Sequence, residues 1–501
     1  MICSNTPVHQ NSDNSLWSPC AFTIIFYRHK TSVKVRQKSR KGELNMNHTY
    51  DKWTQSDAYR GIMPPLRMGT RTAPIPIIQG GMGVGISLSG LASAVAETGG
   101  IGIIAANAIG MIEPDYFKDG RAANIRALQS EIRKAKERTS GIIGVNIMVA
   151  LQDFHDLLDT AIEEGVDLVI MGAGLPVKQI PVSRMRERGV SAVPIVSSAR
   201  AAELIFRMWE RSYHDVPDAV VLEGPEAGGH LGFAKDELED SSKKLETLIP
   251  QVLDVLRPYE QAHGREIPLI AAGGIYTGED IYRVMQLGAR GVQMGTRFVA
   301  THECDADIRF KEAYLNAKKD DIGIITSPVG LPGRAIINDF LRQAEVKKRT
   351  FSCPWQCLSG CRADEAHYCI SLALNQARIG RLDNGFVFVG SNAYRIKEII
   401  SVRELMKDLV TSYLKSAKQT SKSIAECLAA LKREYLAAEQ FVTACKEAYT
   451  RTADRAKEKI TGEYQEALRH LDELRHVLET YRTQFGFSGL ADTSPRLNGK
   501  A

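Results

Sequence analysis

Between residues 74 and 298, short apolar segments alternate with longer segments in which apolar positions recur at helical spacing. The short segments predict strands buried on both faces, as in a parallel sheet. Eight strands are predicted, at residues 75–79, 102–105, 142–146, 168–171, 192–196, 219–223, 269–272 and 291–294. Helices are predicted between them at 88–97, 125–137, 154–164, 199–207, 245–256 and 279–287. Eight such units in roughly 225 residues favour a (β/α)8 barrel of the α/β class over an open doubly wound sheet.

The residues on either side of the barrel follow other patterns. Residues 1–60 lack sustained periodicity and predict a disordered leader, with Met46 as an alternative start. Residues 28–41 hold seven Lys or Arg and no acid, which leaves a transit peptide or a nucleic-acid arm open. Residues 299–350 are interpreted as helical and basic. The predicted regions after the leader are a barrel at 70–345, a cysteine-containing and helical region at 346–414, a helical hairpin or coiled coil at 415–485 and a disordered tail at 486–501.

Heptad-like spacing of apolar residues marks the end of the chain. The first set of positions, stepping by four and three, is Ile424, Leu428, Leu431, Tyr435, Ala438, Val442, Cys445 and Tyr449. After a phase break the pattern returns at Ile460, Tyr464, Ala467, Leu471, Leu474, Leu478 and Tyr481. This spacing predicts helices with an apolar seam. Gly462 and the phase break make a helical hairpin possible. One long helix would instead form a homo-oligomeric coiled coil, and a helical appendage packed on the body is the third alternative.

Composition and charge narrow the class of protein. Apolar residues make up 44% and charged residues 25%, as in globular proteins. The net charge of +5 is too small to indicate nucleic acid or an anionic membrane as the main partner. No segment approaches the 18 consecutive apolar residues of a membrane span. The nine cysteines of this large chain are more typical of cytosolic thiols or a metal site than of a disulfide framework, so we expect a cytoplasmic protein.

Glycines follow most of the predicted strands, at the end of the barrel where active sites lie. Gly273-Gly274 after the seventh strand and Gly295-Thr296 after the eighth stand where barrels commonly bind a phosphate. Tight turns that need positive φ are the alternative for any single pair. The run Gly81-x-Gly83-x-Gly85 lacks the G-x-G-x-x-G spacing and does not predict a dinucleotide site.

His230 is the candidate catalytic residue. It follows Gly228 and Gly229 shortly after the sixth predicted strand, so its side chain can be aimed at a pocket. Imidazole titrates near neutrality and can act as a base or hydrogen-bond a reduced cofactor. A structural histidine is the alternative.

Five motifs, in order, carry a resemblance to a known superfamily. They are Gln79-Gly-Gly-Met82, Gly144-Val-Asn146, Glu226-Ala-Gly-Gly-His230, Ala272-Gly-Gly-Ile275 and Gln293-Met-Gly-Thr-Arg-Phe298. Over about residues 70–340 the chain resembles the nitronate monooxygenases, formerly called 2-nitropropane dioxygenases. It equally resembles the related FMN-dependent enoyl-ACP reductases. The resemblance implies an FMN-binding TIM barrel that acts on a small-molecule substrate.

The resemblance also implies roles for particular residues. Asn146, Gly228, Gly274 and the segment from Gln293 to Thr296 would hold FMN. The full set of predicted cofactor-binding residues is Gln79, Gly80, Gly81, Met82, Asn146, Glu223, Gly228, Gly229, Gly273, Gly274, Gln293, Met294, Gly295 and Thr296. Glu223 stands where the family commonly has Gln. Since a carboxylate beside the flavin phosphate is unfavourable, we expect it to face the ribityl hydroxyls or to point away.

In the same family His230 is the candidate catalytic base. It would take the α-proton of a neutral nitroalkane or hold the nitronate anion in place. We therefore expect the His230→Asn variant to keep bound FMN and to lose most of its turnover.

Four cysteines at C-x3-C-x3-C-x7-C spacing suggest a metal site. Cys353, Cys357, Cys361 and Cys369 lie within 17 residues and are predicted to bind zinc or an iron–sulfur cluster, with His367 as a substitute ligand. The spacing matches neither the common zinc pattern nor a ferredoxin run. The alternative is a set of reduced thiols, the first three lying on one helix face.

Three functional hypotheses remain. The leading one is an FMN-dependent nitronate monooxygenase that oxidises alkyl nitronates with O2 to a carbonyl compound and nitrite. The second is an enoyl-thioester reductase that uses FMN and NAD(P)H. The third is a non-catalytic flavin-binding scaffold that recruits a partner through residues 424–481.

Overall fold

A computed structural model describes residues 63–353, 356–451 and 464–478, with residues 466, 473 and 477 excepted. These residues divide into two compact units, one ending at Ser416 and the other beginning at Ala417. The predicted leader at 1–60, the tail at 486–501 and the phase break at Gly462 lie outside the described residues.

Eight parallel strands close into a barrel, as the alternation of apolar segments predicts. A short antiparallel hairpin, β1 (Leu66–Met68) and β2 (Arg71–Ala73), precedes them. The next strands are β3 (Ile77–Gln79), β4 (Ile101–Ala105), β5 (Ile142–Met148), β6 (Leu168–Gly172), β7 (Ser191–Val196), β8 (Val220–Glu223), β9 (Gly229–His230), β10 (Leu269–Ala272) and β11 (Gly291–Met294). All of these except β9 belong to the barrel, and β10 closes it by pairing with both β8 and β11.

The core fills the inside of the barrel. Inward-facing apolar side chains such as Ile101, Ile170 and Ile270 are completely buried there. Leu66 and Ala73 of the hairpin belong to the same cluster, so the hairpin packs against the barrel interior. Burying an aliphatic side chain of this size contributes about 1.5–3 kcal/mol to the free energy of unfolding. The filled interior leaves function to the loops at the carboxyl ends of the strands.

Helices alternate with the barrel strands. They are α1 (Ser89–Glu97), α2 (Gly120–Arg138), α3 (Phe154–Glu163), α4 (Val182–Arg188), α5 (Ala199–Tyr213), α6 (Leu245–His263) and α7 (Gly278–Gln286). The predicted cap of α7 is confirmed, because the Thr277 hydroxyl accepts a hydrogen bond from the Asp280 amide. The sequence does not predict α4, whose seven residues include four charged ones and bury only Val182 and Met185. So short a segment carries too little apolar periodicity to identify a helix.

The chain after the barrel builds a small sheet and further helices. Its elements are α8 (Thr296–Val299), α9 (Ile308–Asn316), β12 (Ile322–Thr326), β13 (Pro332–Ile336), α10 (Asp339–Val346), α11 (Ile370–Arg378) and α12 (Val402–Arg451). The strands β12, β13 and β9 form an antiparallel sheet in that order. The helical interpretation of residues 299–350 is therefore wrong for residues 322–336. These strands are stabilised by pairing with each other and with β9, about 100 residues earlier, which local sequence does not encode.

The long last helix confirms a helical end of the chain. Within the first unit, its beginning packs on α7: the Gly278 amide donates to the Ser412 hydroxyl at 2.8 Å, where a side chain on Gly278 would not fit. In the second unit, four of the seven seam positions predicted there are buried, at Ala467, Leu471, Leu474 and Leu478, and Tyr464 is half-buried. The choice between a hairpin and an oligomeric coiled coil stays a prediction. Of the helices in the described residues, none combines the length and the apolar character needed to cross a bilayer.

Candidate active site

A cavity of about 320 Å³ lies at the carboxyl end of the barrel strands. His230 lines it. So do all but one of the predicted cofactor-binding residues: Gly80, Gly81, Met82, Asn146, Glu223, Gly228, Gly229, Gly273, Gly274, Gln293, Met294, Gly295 and Thr296. The structure thus brings together residues from five of the eight barrel strands and the loops that follow them.

Gln79 is the exception. Its side chain is completely buried, and both of its polar atoms are used by the backbone of the barrel. The amide nitrogen donates to the Gly80 carbonyl, and the amide oxygen accepts from the Ile103 amide at 3.0 Å. Gln79 therefore ties β3 to β4 and is not among the residues that line the cavity.

Two glycines of the cavity wall stand where a larger residue would not fit. A Cβ on Gly81 would lie 2.8 Å from Cγ of Asn146, so the space is already taken. Gly273 has a φ of +89°, and a Cβ there would lie 2.9 Å from the Gly224 carbonyl oxygen. Both the tight turn and the close approach therefore require glycine at 273. The backbone is exposed to the cavity at these positions, where a large ligand can contact it.

The described lining of the cavity carries no positive charge at neutral pH. No Lys or Arg is among its lining residues in the described parts of the chain. Burial raises the pKa of Glu223 to about 7. Burial lowers the pKa of His230 to about 4, so its imidazole is neutral at pH 7. The remaining carboxylate, Glu226, is exposed. An anionic ligand in this cavity must therefore rely on neutral hydrogen-bond donors.

Residues that follow the barrel hold His230 in place. Its Nε2 lies 2.9 Å from Oγ of Ser327, and its ring packs edge-on against Phe388 with 5.2 Å between ring centroids. The backbone of His230 pairs with Gly333 in the small sheet. Next to Gly333, the buried Arg334 donates hydrogen bonds from Nη1 to the carbonyls of residues 225 and 227, at 2.6 and 2.7 Å. The loop before His230 is thus fixed to the same sheet.

The roof of the cavity comes from parts of the chain that the sequence did not assign to the site. Its lining residues are Phe310, Tyr314, Leu358, Ile370, Ser371, Leu374, Phe388, Val389 and Gly390. The Tyr314 hydroxyl donates to the Phe388 carbonyl at 2.7 Å, which links two of these segments. The turn residues Gly390-Ser391-Asn392, directly after an apolar run, were the local signal for a loop.

The segment after Phe388 reaches the predicted phosphate-binding corner. The Gly390 amide donates to Oγ1 of Thr296 at 3.1 Å. Asn392 donates from Nδ2 to the Gly274 carbonyl at 2.8 Å. These two bonds connect the loops after β10 and β11 to the roof, so the corner is built by three segments of chain.

The four cysteines do not form a metal site in the described residues. Among these residues, no three or more His, Cys, Asp or Glu side chains are close enough to share an ion. Cys357 instead contacts the Ser371 hydroxyl at 3.8 Å, and burial raises its pKa to about 11, so the thiol stays protonated. The Nδ1 atom of His367 lies 2.7 Å from the Ala344 carbonyl oxygen. The zinc or iron–sulfur site predicted at Cys353, Cys357, Cys361 and Cys369 therefore has no support among the described residues and stays a prediction.

The helical alternative for the cysteines is not observed either. In the described part of residues 347–369 the chain forms turns and loops without a helix. Leu358 makes an antiparallel bridge with Leu151, and the Gln152 amide donates to the Cys357 carbonyl at 3.1 Å. Pairing with the loop after β5 therefore sets the path of this segment. The spacing of the cysteines carries no information about such a long-range contact.

Comparison with known proteins agrees with this geometry. A model of the nitronate monooxygenase family matches residues 66–412, which include the whole barrel and its roof. The chain belongs to the nitronate monooxygenase family. It is 28% identical over 365 residues to a Bacillus subtilis protein named "Probable nitronate monooxygenase", covering 68% of this chain and 96% of that protein.

Two further similar proteins carry other names. The chain is 31% identical over 274 residues to (3aS,4S,5R,7aS)-5-hydroxy-7a-methyl-1-oxo-octahydro-1H-indene-4-carboxyl-CoA dehydrogenase of Mycobacterium tuberculosis. That alignment covers 55% of this chain and 66% of the dehydrogenase, so the chain spans just under two-thirds of that relative. The solved structure of FabK from Thermotoga maritima is 31% identical, with a TM-score of 0.53, and the match covers 70% of this chain and 95% of FabK. Family membership thus leaves the substrate open.

Proposed function

We propose that this member of the nitronate monooxygenase family is an FMN-dependent oxidoreductase that oxidises alkyl nitronates with O2 to a carbonyl compound and nitrite. The observation that carries the proposal is Gln293. Its Oε1 atom is buried on the cavity wall and has no hydrogen-bond partner among the described residues. A buried amide oxygen without a partner costs about 1–3 kcal/mol, so this position calls for a ligand that donates a hydrogen bond.

FMN fits the residues present. The ring N–H and the ribityl hydroxyls of FMN are hydrogen-bond donors, and the unpaired Oε1 of Gln293 can accept from them. Asn146 lines the same cavity. Gly273, Gly274 and Gly295 have no side chains over their backbone N–H groups, which can therefore bind the phosphate. When bound, FMN supplies the electron acceptor for oxidation of the substrate carbon.

The protein's own residues would place and shield the substrate. Ile370, Leu374 and Phe388 in the roof form an apolar cover that excludes water from the reacting carbon. His230 is the polar side chain in contact with the substrate, and it is uncharged at pH 7 because burial lowers its pKa to about 4. It therefore acts through its ring nitrogens and not through a positive charge.

An enoyl-thioester reductase that uses FMN and NAD(P)H is the second candidate. The absence of Lys and Arg from the described cavity lining favours it, because a thioester carbonyl carries no charge to be neutralised. The likeness to FabK and to a dehydrogenase of a CoA thioester supports it further. A passive flavin scaffold, the third hypothesis, gives no reason for a half-buried imidazole and a half-buried carboxyl in one cavity.

The test is anaerobic flavin reduction followed by absorbance. We add an alkyl nitronate, NADH and NADPH separately to the purified holoprotein. Reduction by the nitronate, with the nicotinamides inert, is the expected result. Fast reduction by NADH or NADPH, with no reduction by the nitronate, would support the enoyl-thioester reductase instead. Protein that neither carries flavin nor takes up added FMN would refute both.

A further inference from the structure

Ser327 is a buried serine whose hydroxyl touches His230. It follows β12 at the turn into β13 and is only 3% exposed. Its amide donates to the Leu331 carbonyl at 2.9 Å, and its carbonyl accepts from the Gly330 amide at 2.8 Å. The hairpin thus fixes the serine backbone, and Oγ lies 2.9 Å from Nε2 of His230.

The hydrogen atoms of this pair can be assigned by accounting for donors and acceptors. Within the described residues, Oγ of Ser327 has no hydrogen-bond partner other than His230. A neutral imidazole carries one proton, on Nδ1 or on Nε2. With the proton on Nε2, the ring donates to Ser327 and leaves the buried serine O–H without an acceptor, which is costly. With the proton on Nδ1, the serine O–H donates to Nε2, and the Nδ1–H is left to a molecule in the cavity.

We propose that Ser327 holds His230 in the tautomer protonated on Nδ1, so that the imidazole presents an N–H donor, and not a basic nitrogen, to the substrate. Among the described residues Nδ1 has no partner, and His230 lines the cavity, so this nitrogen is available to a bound molecule. Ser327 is in these terms a positioning residue that acts through His230.

The tautomer selects the protonation state of the substrate, a step that rests on the proposed function. An N–H donor stabilises a negatively charged oxygen, as a preorganised neutral imidazole does in other enzymes. It has no lone pair with which to take the α-proton of a nitroalkane. The site therefore suits nitronates, which are already deprotonated, and not neutral nitroalkanes. The lack of Lys and Arg in the described cavity lining makes this N–H the more important for the anion.

The tautomer can be measured without any turnover. In holoprotein labelled with ¹⁵N in histidine, the ring-nitrogen shifts of His230 report which nitrogen carries the proton, and the His230→Asn variant assigns the signals. We expect Nδ1–H in the wild type and in Ser327→Thr, and a shift towards Nε2–H in Ser327→Ala. Ser241→Ala, a matched change at an exposed serine, should leave the signals unchanged. An Nε2–H tautomer in the wild type would overturn the proposal.

Kinetics of two His230 variants separate a donor from a base. Asparagine can place an amide N–H near the position of Nδ1, and leucine cannot. As a donor, His230→Asn should lose about 10-fold in kcat with a nitronate, and His230→Leu about 10²–10³-fold. As a base, both should fall alike, by about 10²–10⁴-fold. Equal losses in the two variants at unchanged flavin content would refute the donor role.

The same experiments distinguish failure of the tautomer from failure of the proposed function. If the wild type does not oxidise nitronates, the proposed function is wrong, and the ¹⁵N signals still decide the tautomer. If the wild type oxidises neutral nitroalkanes as fast as nitronates, at a pH where the two forms do not interconvert during the assay, His230 acts as a base and the inference falls.

Discussion

The Gly228→Ala variant is expected to lose most of its bound FMN. A Cβ at this position would lie 2.5 Å from the carbonyl carbon of Val389 and 2.6 Å from the amide nitrogen of Gly390. Both neighbours are backbone atoms, so the added methyl cannot be accommodated by a side-chain rotation. The segment would move outward, and the bonds from Gly390 to Thr296 and from Asn392 to Gly274 would be lost with it.

The measurement is the FMN content of the purified variant and its Kd in a fluorescence titration. Overpacking of this kind costs about 1–3 kcal/mol, which corresponds to roughly 5–150-fold in affinity. Gly360→Ala is the matched control, because no atom lies within 4 Å of the Cβ it would add. Wild-type affinity in Gly228→Ala, with the circular dichroism of both variants unchanged, would show that the roof segment does not close the cofactor site.

The Glu223→Gln variant is expected to remove a pH dependence from FMN binding. Burial raises the pKa of Glu223 to about 7 in the free protein, so the carboxyl is mostly neutral at pH 6 and mostly ionised at pH 8. An anionic cofactor binds the neutral form better. Wild-type affinity should therefore fall by up to about 10-fold per pH unit above 7. Gln, the residue that the family commonly has here, is neutral throughout.

The effect on stability has the same direction. The folded-state pKa lies above the ordinary value of 4.5, so protonation favours the folded protein. That stabilisation is complete below about pH 4.5 and is lost as the pH rises through 7. Titrations of FMN at pH 6, 7 and 8 check the binding effect, with the exposed Glu239→Gln as control. A wild-type affinity that does not change between pH 6 and pH 8 would contradict it.

The barrel is predictable from sequence because its strands are buried on both faces. Each one is a short, nearly continuous apolar run, and all eight observed strands overlap the predicted ones, with ends differing by at most two residues. The glycines of the cavity are predictable for a related reason, since each stands where a strand ends. Gln79 stands at the same boundary, but it is the last residue of β3, and its side chain forms hydrogen bonds within the barrel wall.

The roof and the small sheet are not predictable because long-range pairing creates them. Ser327 and Phe388 contact His230 across 97 and 158 positions of the chain, and nothing in their local sequence marks them. For the same reason, the spacing of the cysteines does not predict the path of their segment. It describes how far apart thiols lie along the chain, whereas bridging between Leu151 and Leu358 determines where the segment runs.

The sheet formed by β9, β12 and β13 separates two properties of the enzyme. The walls that would cradle the flavin belong to the barrel, but the orientation of the imidazole is set by a hairpin outside it. Changing the turn at Ser327 would leave a flavoprotein that still accepts electrons but no longer selects their donor. Exchanging residues 327–331 between relatives, with Arg334 kept, is therefore a route to altered selectivity with the flavin site intact. In this scaffold, substrate choice can therefore be engineered separately from electron transfer.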